Sequence, residues 1–140
     1  MRILLFGDSH FCKRSSIINK FGTKYPVRLE NQLQTFGWIK EQAIKNNCGA
    51  VIGLGDLFDS SQLSDVEITA AKELPFAELP TYLIVGNHEA SSQDLSFNST
   101  KVLEADNYLA SDEDRDAKLL LQFLNLPNIV FNRGFQLLQL

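Results

Sequence analysis

Histidine is scarce in this chain: 140 residues contain only two, His10 and His88. Cysteine is equally sparse. Cys12 and Cys48 form no Cys-x-x-Cys spacing, which excludes a zinc ribbon or a dithiol redox motif. Two isolated thiols fit a reducing, cytoplasmic compartment, and Cys12 reads as a buried, inert one. No apolar run approaches the ~20 residues of a membrane span. Met1 to Phe6 is apolar, but charge arrives at Asp8, too early for a signal peptide. A net charge of −4 excludes a global attraction to nucleic acid, and 44% hydrophobic with 21% charged residues excludes a disordered chain. What remains is the size and composition of one ordinary domain, residues 1–140.

Acid is missing from one stretch. From Phe11 to Leu29 stand Lys13, Arg14, Lys20, Lys24 and Arg28 without a carboxylate, although the whole chain is acidic. Gly22 and Pro26 argue against a continuous helix there. The segment is either a solvated loop or a basic lip that holds a polyanion, with Lys13, Arg14, Lys20 and Lys24 as the phosphate contacts.

The apolar runs are short and each ends abruptly. Arg2–Phe6, Ala50–Leu54 and Thr81–Val85 are continuous rather than alternating, as in strands buried on both faces. Between them, Leu29, Leu33, Phe36 and Ala43, with Ile39 and Ile44 filling in, predict a helix over 28–46. Ser64-x-x-Glu67 is a capping box, with Leu63 and Ile68 placed as its hydrophobic staple, and predicts a second helix over 64–74. Beyond residue 90 the pattern predicts a polar loop over 91–98, a short helix over 100–105, a helix that the acidic run after Ser111 caps, and a fourth strand over 128–131. The end, Gly134 to Leu140, looks like a strand cut short.

The order strand, helix, strand, helix, strand predicts an α/β fold with a mostly parallel sheet and flanking helices. In such a sheet the strand C-termini share one edge, where ligands bind. Each of the three strands is followed there by a polar motif: Gly7-Asp8-Ser9-His10, Gly55-Asp56-Leu57-Phe58-Asp59 and Gly86-Asn87-His88-Glu89. Two carboxylates such as Asp8 and Asp56 repel when brought together, and a cation removes the repulsion. Oxygen ligands with imidazole suit Mn, Fe or Zn. The glycine of the last motif reads as the residue that lets the backbone turn.

This set of motifs, in this order, resembles the calcineurin-like metallophosphoesterases. The resemblance covers residues 1–90 well. It implies the N-terminal half of an α/β/β/α sandwich that hydrolyses phosphoesters with two divalent metals. Asp8 and His10 would hold the first, Asp56 would bridge, Asn87 would hold the second, and His88 would contact the phosphate and protonate the leaving group. Asp59 would play a supporting, orienting part. Gly-Asp-Leu-Phe-Asp is most similar to the SbcD-type and phage-recombination exonuclease branch, which implies manganese, a DNA substrate and an SbcC-type ATPase partner.

The chain also departs from the family, whose second half supplies further metal-binding histidines. Nothing after His88 provides an imidazole, so the second metal site is incomplete. A truncated enzyme is one expectation, with an exposed apolar sheet face that favours association. A homodimer in which the second subunit completes the site is another. The alternative function is a catalytically dead module that binds nucleic acid or a partner subunit. A phosphoacceptor receiver domain shares parallel strands ending in Asp but lacks the paired acids after the first strand.

Overall fold

The computed structural model describes residues 2–17, 20–75, 79–91, 98–103, 108–111 and 136–138. Five strands form one sheet: β1 (Arg2–Phe6), β2 (Cys48–Gly53), β3 (Thr81–Ile84), β4 (Tyr108–Ser111) and β5 (Gln136–Leu138). The spatial order is β4-β3-β2-β1-β5. Four strands run parallel, and only β5 is antiparallel, pairing Ile3 with Leu138 and Leu5 with Gln136. Two helices connect the first three strands, α1 (Val27–Lys45) and α2 (Asp65–Ala71). Ser99–Leu103 forms a 3-10 helix where a short helix was predicted.

The first two apolar runs become strands buried on both faces, whereas β3 alternates buried and half-buried residues. Leu4, Phe6 and Val51 join the helix-side core with Leu29, Phe36 and Ile39 of α1. Ile3, Leu5, Ala50 and Ile52 form a second buried cluster on the opposite face. That corrects one expectation: these residues, between 3% and 5% exposed, leave no open apolar face on β1 and β2. Ile44 is a second correction, because it is 50% exposed while Leu29, Phe36, Ile39 and Ala43 carry the buried stripe of α1.

The Glu67 carboxylate accepts the Ser64 backbone N–H at 2.8 Å and the Ser64 hydroxyl at 2.6 Å, so the predicted cap forms at the start of α2. β4 was not predicted, and the pattern that marks buried strands is weak in Tyr108–Ser111. The predicted polar loop lies mostly outside the described residues, and the acid-capped helix and the strand over 128–131 do so entirely. β5 falls in the end segment read as a strand.

Candidate metal centre

The parallel sheet brings three loops to one edge, and hydrogen bonds continue the β1–β2 ladder past the strand ends. Asp8 N–H donates to the Gly55 carbonyl at 3.2 Å, His10 N–H to Asp56 at 3.0 Å and Phe11 N–H to Leu57 at 2.6 Å. Keeping both loops in register forces unusual backbone. Asp8, His10 and Asp56 all adopt left-handed conformations, with φ of 51°, 45° and 50°. A non-glycine residue held there costs on the order of 1–3 kcal/mol, and such strain gathers at functional sites.

The third loop approaches the second closely. A Cβ on Gly86 would lie 2.3 Å from Asp56 Oδ1 and 2.4 Å from the Asp56 nitrogen. Gly86 is therefore required for this approach, and since its φ is not positive it is the missing side chain that the turn uses. Glu89 binds the two loops together. Its carboxylate is fully buried and accepts N–H donors from Gly86 at 2.7 Å, Phe58 at 2.8 Å and Asp56 at 3.1 Å. Burial raises the Glu89 carboxyl above the usual carboxylate range, and the Asp56 charge adds to this against the pull of the three donors.

The side chains then converge. His10, Asp56 and His88 place ligand atoms within 4.8 Å of one another. The two imidazoles meet edge to face, 4.7 Å between centroids. Asp59 faces both: its carboxylate lies 3.2 Å from His10 Nδ1 and 3.9 Å from His88 Nδ1. Its carbonyl oxygen is 3.3 Å from His88 Nδ1. Asp56 Oδ1 also accepts the His88 backbone N–H at 3.1 Å. His10 Nδ1 is buried with no hydrogen-bond partner, the Asp59 contact having the distance of an ion pair without the alignment of a hydrogen bond.

A buried imidazole nitrogen without a hydrogen bond, converging with the Asp56 carboxylate, fits one divalent first-row cation, and the His88 ring stands beside the pair. Asp8 and Asn87 lie on the same edge but are exposed, and Asp8 is not in the converging group.

Gln32 and Glu67 were not singled out as site residues. Gln32, on α1, donates from Nε2 to the Ser9 and His10 carbonyls, both at 3.0 Å, and accepts the Cys12 N–H at 3.2 Å. It fixes the first loop from the helix side. The signal was present: Gln32 falls three residues after Leu29 and four before Phe36, on the buried stripe, where a polar residue needs a partner. Glu67 accepts the Lys13 N–H at 2.9 Å besides capping α2. Burial opposes its charge, but the Ser64 hydroxyl and the Lys13 and Ser64 N–H groups outweigh this and lower its carboxyl.

Lys13, Arg14 and Lys20 are exposed on the segment that follows His10. Lys24 differs from the expected phosphate contact. Its ammonium is paired with Glu73 at 2.5 Å, which satisfies its charge within the chain. Arg28 is turned inward, with Nε donating to Cys12 Sγ at 3.3 Å.

The calcineurin-like phosphoesterase family matches this sequence over residues 1–138. The chain belongs to that family. Its members use divalent metals, in keeping with the His10–Asp56–His88 group. Among curated proteins, the DNA double-strand break repair protein Mre11 of Sulfurisphaera tokodaii is 26% identical over 137 residues. Those residues are 95% of this chain and 30% of that relative, so the chain spans under a third of the relative's length. No helix among the described residues is long and apolar enough to cross a membrane.

Proposed function

We propose that this chain carries a metal-dependent phosphodiesterase site of the nuclease type. The observation that carries the reading is the convergence of His10, Asp56 and His88 at the sheet edge, with ligand atoms within 4.8 Å of one another. His10 and Asp56 hold the first cation. Asp8 and Asn87, exposed on the same rim, complete the shells, and the second site keeps only Asp56 and Asn87 from this chain. A divalent ion, manganese by preference, supplies charge neutralisation at the phosphoryl oxygens and an acidified water when bound.

The rest belongs to the residues. His88 contacts the phosphate and gives its proton to the leaving oxygen. Asp59, at 3.9 Å from His88 Nδ1, stabilises the protonated ring and orients it. Glu89 and Gln32 hold the loops so that these groups need no rearrangement. A DNA substrate is supported by the acid-free basic segment after His10 and by the repair function in the relative's name. An SbcC-type ATPase partner, or a second copy that supplies further ligands, fits the short second shell. The competing reading, a dead binding module, makes the opposite prediction in the same assay.

The test is a count of manganese per chain together with hydrolysis of a chromogenic phosphodiester. Hydrolysis is expected to require the metal. Asp56→Asn should lose both metal and turnover. His88→Asn should keep metal and lose about 10²–10⁴-fold in turnover, the usual contribution of general acid catalysis. Metal bound without turnover in the unaltered chain would establish the dead module instead.

A further inference from the structure

One hollow adjoins the candidate metal centre, and a second shares its Lys13–Arg14 wall. The first, of about 260 Å³, has Asp59, Ser60, Lys13 and Arg14 in its lining. The second, of about 680 Å³, is lined by Lys13, Arg14, Lys20, Phe21 and Pro26 among others, with no carboxylate. Asp59 is the residue that faces both imidazoles. A path therefore leads from the imidazoles, past Asp59, over the Lys13–Arg14 wall and into the second hollow. Among the described residues, no carboxylate pairs with Arg14 or Lys20.

Phe21 stands in this basic hollow, and it is 71% exposed. A large apolar ring in water is costly, yet this one is held in place by a firmly built turn. Gly22 N–H donates to Tyr25 O at 2.7 Å, and Val27 N–H to Lys20 O at 3.0 Å. The Glu30 carboxylate accepts the Lys24 N–H at 2.6 Å and the Tyr25 N–H at 3.1 Å. Glu73 accepts the Tyr25 hydroxyl at 2.6 Å and pairs with Lys24. Four contacts to side-chain carboxylates fix the turn while leaving Phe21 outside the core.

We propose that this hollow is a subsite for a single-stranded stretch of nucleic acid, with an unpaired base stacked on Phe21 and the backbone phosphates on Lys13, Arg14 and Lys20. Cations alone would suit any polyanion. The ring adds the distinction, because a base offers its face only where it is unstacked, and aromatic side chains with a basic track are the common means of holding single strands. The second hollow is of the volume usual for a small-ligand site. The inference deepens the nucleic-acid reading above and rests on it.

The experiment measures binding of the full chain to a fluorescein-labelled oligothymidine, to a blunt duplex of the same length and to inorganic polyphosphate, by anisotropy at several salt concentrations. The unaltered chain should prefer the single strand. Phe21→Ala should weaken that binding by about tenfold or more and leave the duplex unaffected, since stacking one base is worth about 1–3 kcal/mol and 1.4 kcal/mol is tenfold. Phe21→Trp should restore it. Lys20→Ala should lower the slope of log K against log salt by about 0.7, one phosphate contact on a single strand. Trp38→Ala, which removes an exposed aromatic ring on α1 that does not line the hollow, is the control and should change nothing. Equal loss of single strand and duplex in Phe21→Ala, or no loss of either, would overturn the stacking subsite while the DNA reading stands. Polyphosphate bound as well as the single strand would overturn it too. An unaltered chain that binds neither DNA would overturn both readings.

Discussion

Glu89 carries more of this site than its place at the end of a motif suggests. One buried carboxylate answers three backbone N–H groups, from Asp56, Phe58 and Gly86, and so ties the second loop to the third. Removing it leaves buried donors unsatisfied, at about 1–3 kcal/mol for each group that water cannot reach. Glu89→Ala should lower stability by about 2–4 kcal/mol on that basis, measured by urea unfolding. The neutral isostere separates charge from shape. The folded state raises the Glu89 carboxyl, so its contribution is full below the ordinary carboxylate range and declines as pH rises through the raised value. The stability gap between the unaltered chain and Glu89→Gln should therefore be widest at acid pH and narrow towards neutrality. A gap that widens with pH would show that the three donors outweigh burial. Sequence marked this residue only as the last member of a motif. Two of the three donors, Asp56 and Phe58, come from a loop distant in the chain, and no local pattern encodes that.

The helices show what periodicity does and does not reveal. The spacing of Leu29, Phe36, Ile39 and Ala43 placed α1 correctly because a buried stripe must recur at 3.6 residues. The same spacing did not tell Ile44 from its neighbours, since one apolar residue beside a stripe has no periodicity of its own. Phe36 is 1% exposed, with its ring against Phe6 at 5.5 Å and Phe11 at 6.3 Å. Phe36→Ala should cost about 3–5 kcal/mol, the usual price of a large core cavity. Ile44→Gln should stay within about 0.5 kcal/mol, as for surface substitutions. Thermal unfolding of both variants checks the assignment of the two faces. The contrast also reaches the site, because Phe11 follows His10 directly and a collapsed cavity at Phe36 would let the first loop shift. The polar member of α1, Gln32, is legible by the same rule, because a polar residue on a buried stripe needs a partner.

For the molecule as a whole, the parallel arrangement of the first three strands followed from the alternation of strand-like and helix-like segments, and with it the gathering of Asp56, His10 and His88 at one edge. The outer strands did not follow. β4 is four residues long and β5 three, and each is defined by a partner strand far away in sequence. That His88 joins His10 and Asp56 in the tightest group was likewise hidden, because a motif gives the order of residues and not the direction of a side chain. The left-handed backbone at Asp8, His10 and Asp56 has a consequence for how such a chain changes over generations. Glycine would relieve the backbone at these positions, whereas the proposed function needs the native side chains there. Asp8→Gly should raise the midpoint of thermal unfolding, by the equivalent of about 1 kcal/mol, while abolishing hydrolysis. A population screened for heat resistance alone should accumulate glycine here early. A lineage that keeps these residues in that conformation is one in which the bound ion still matters.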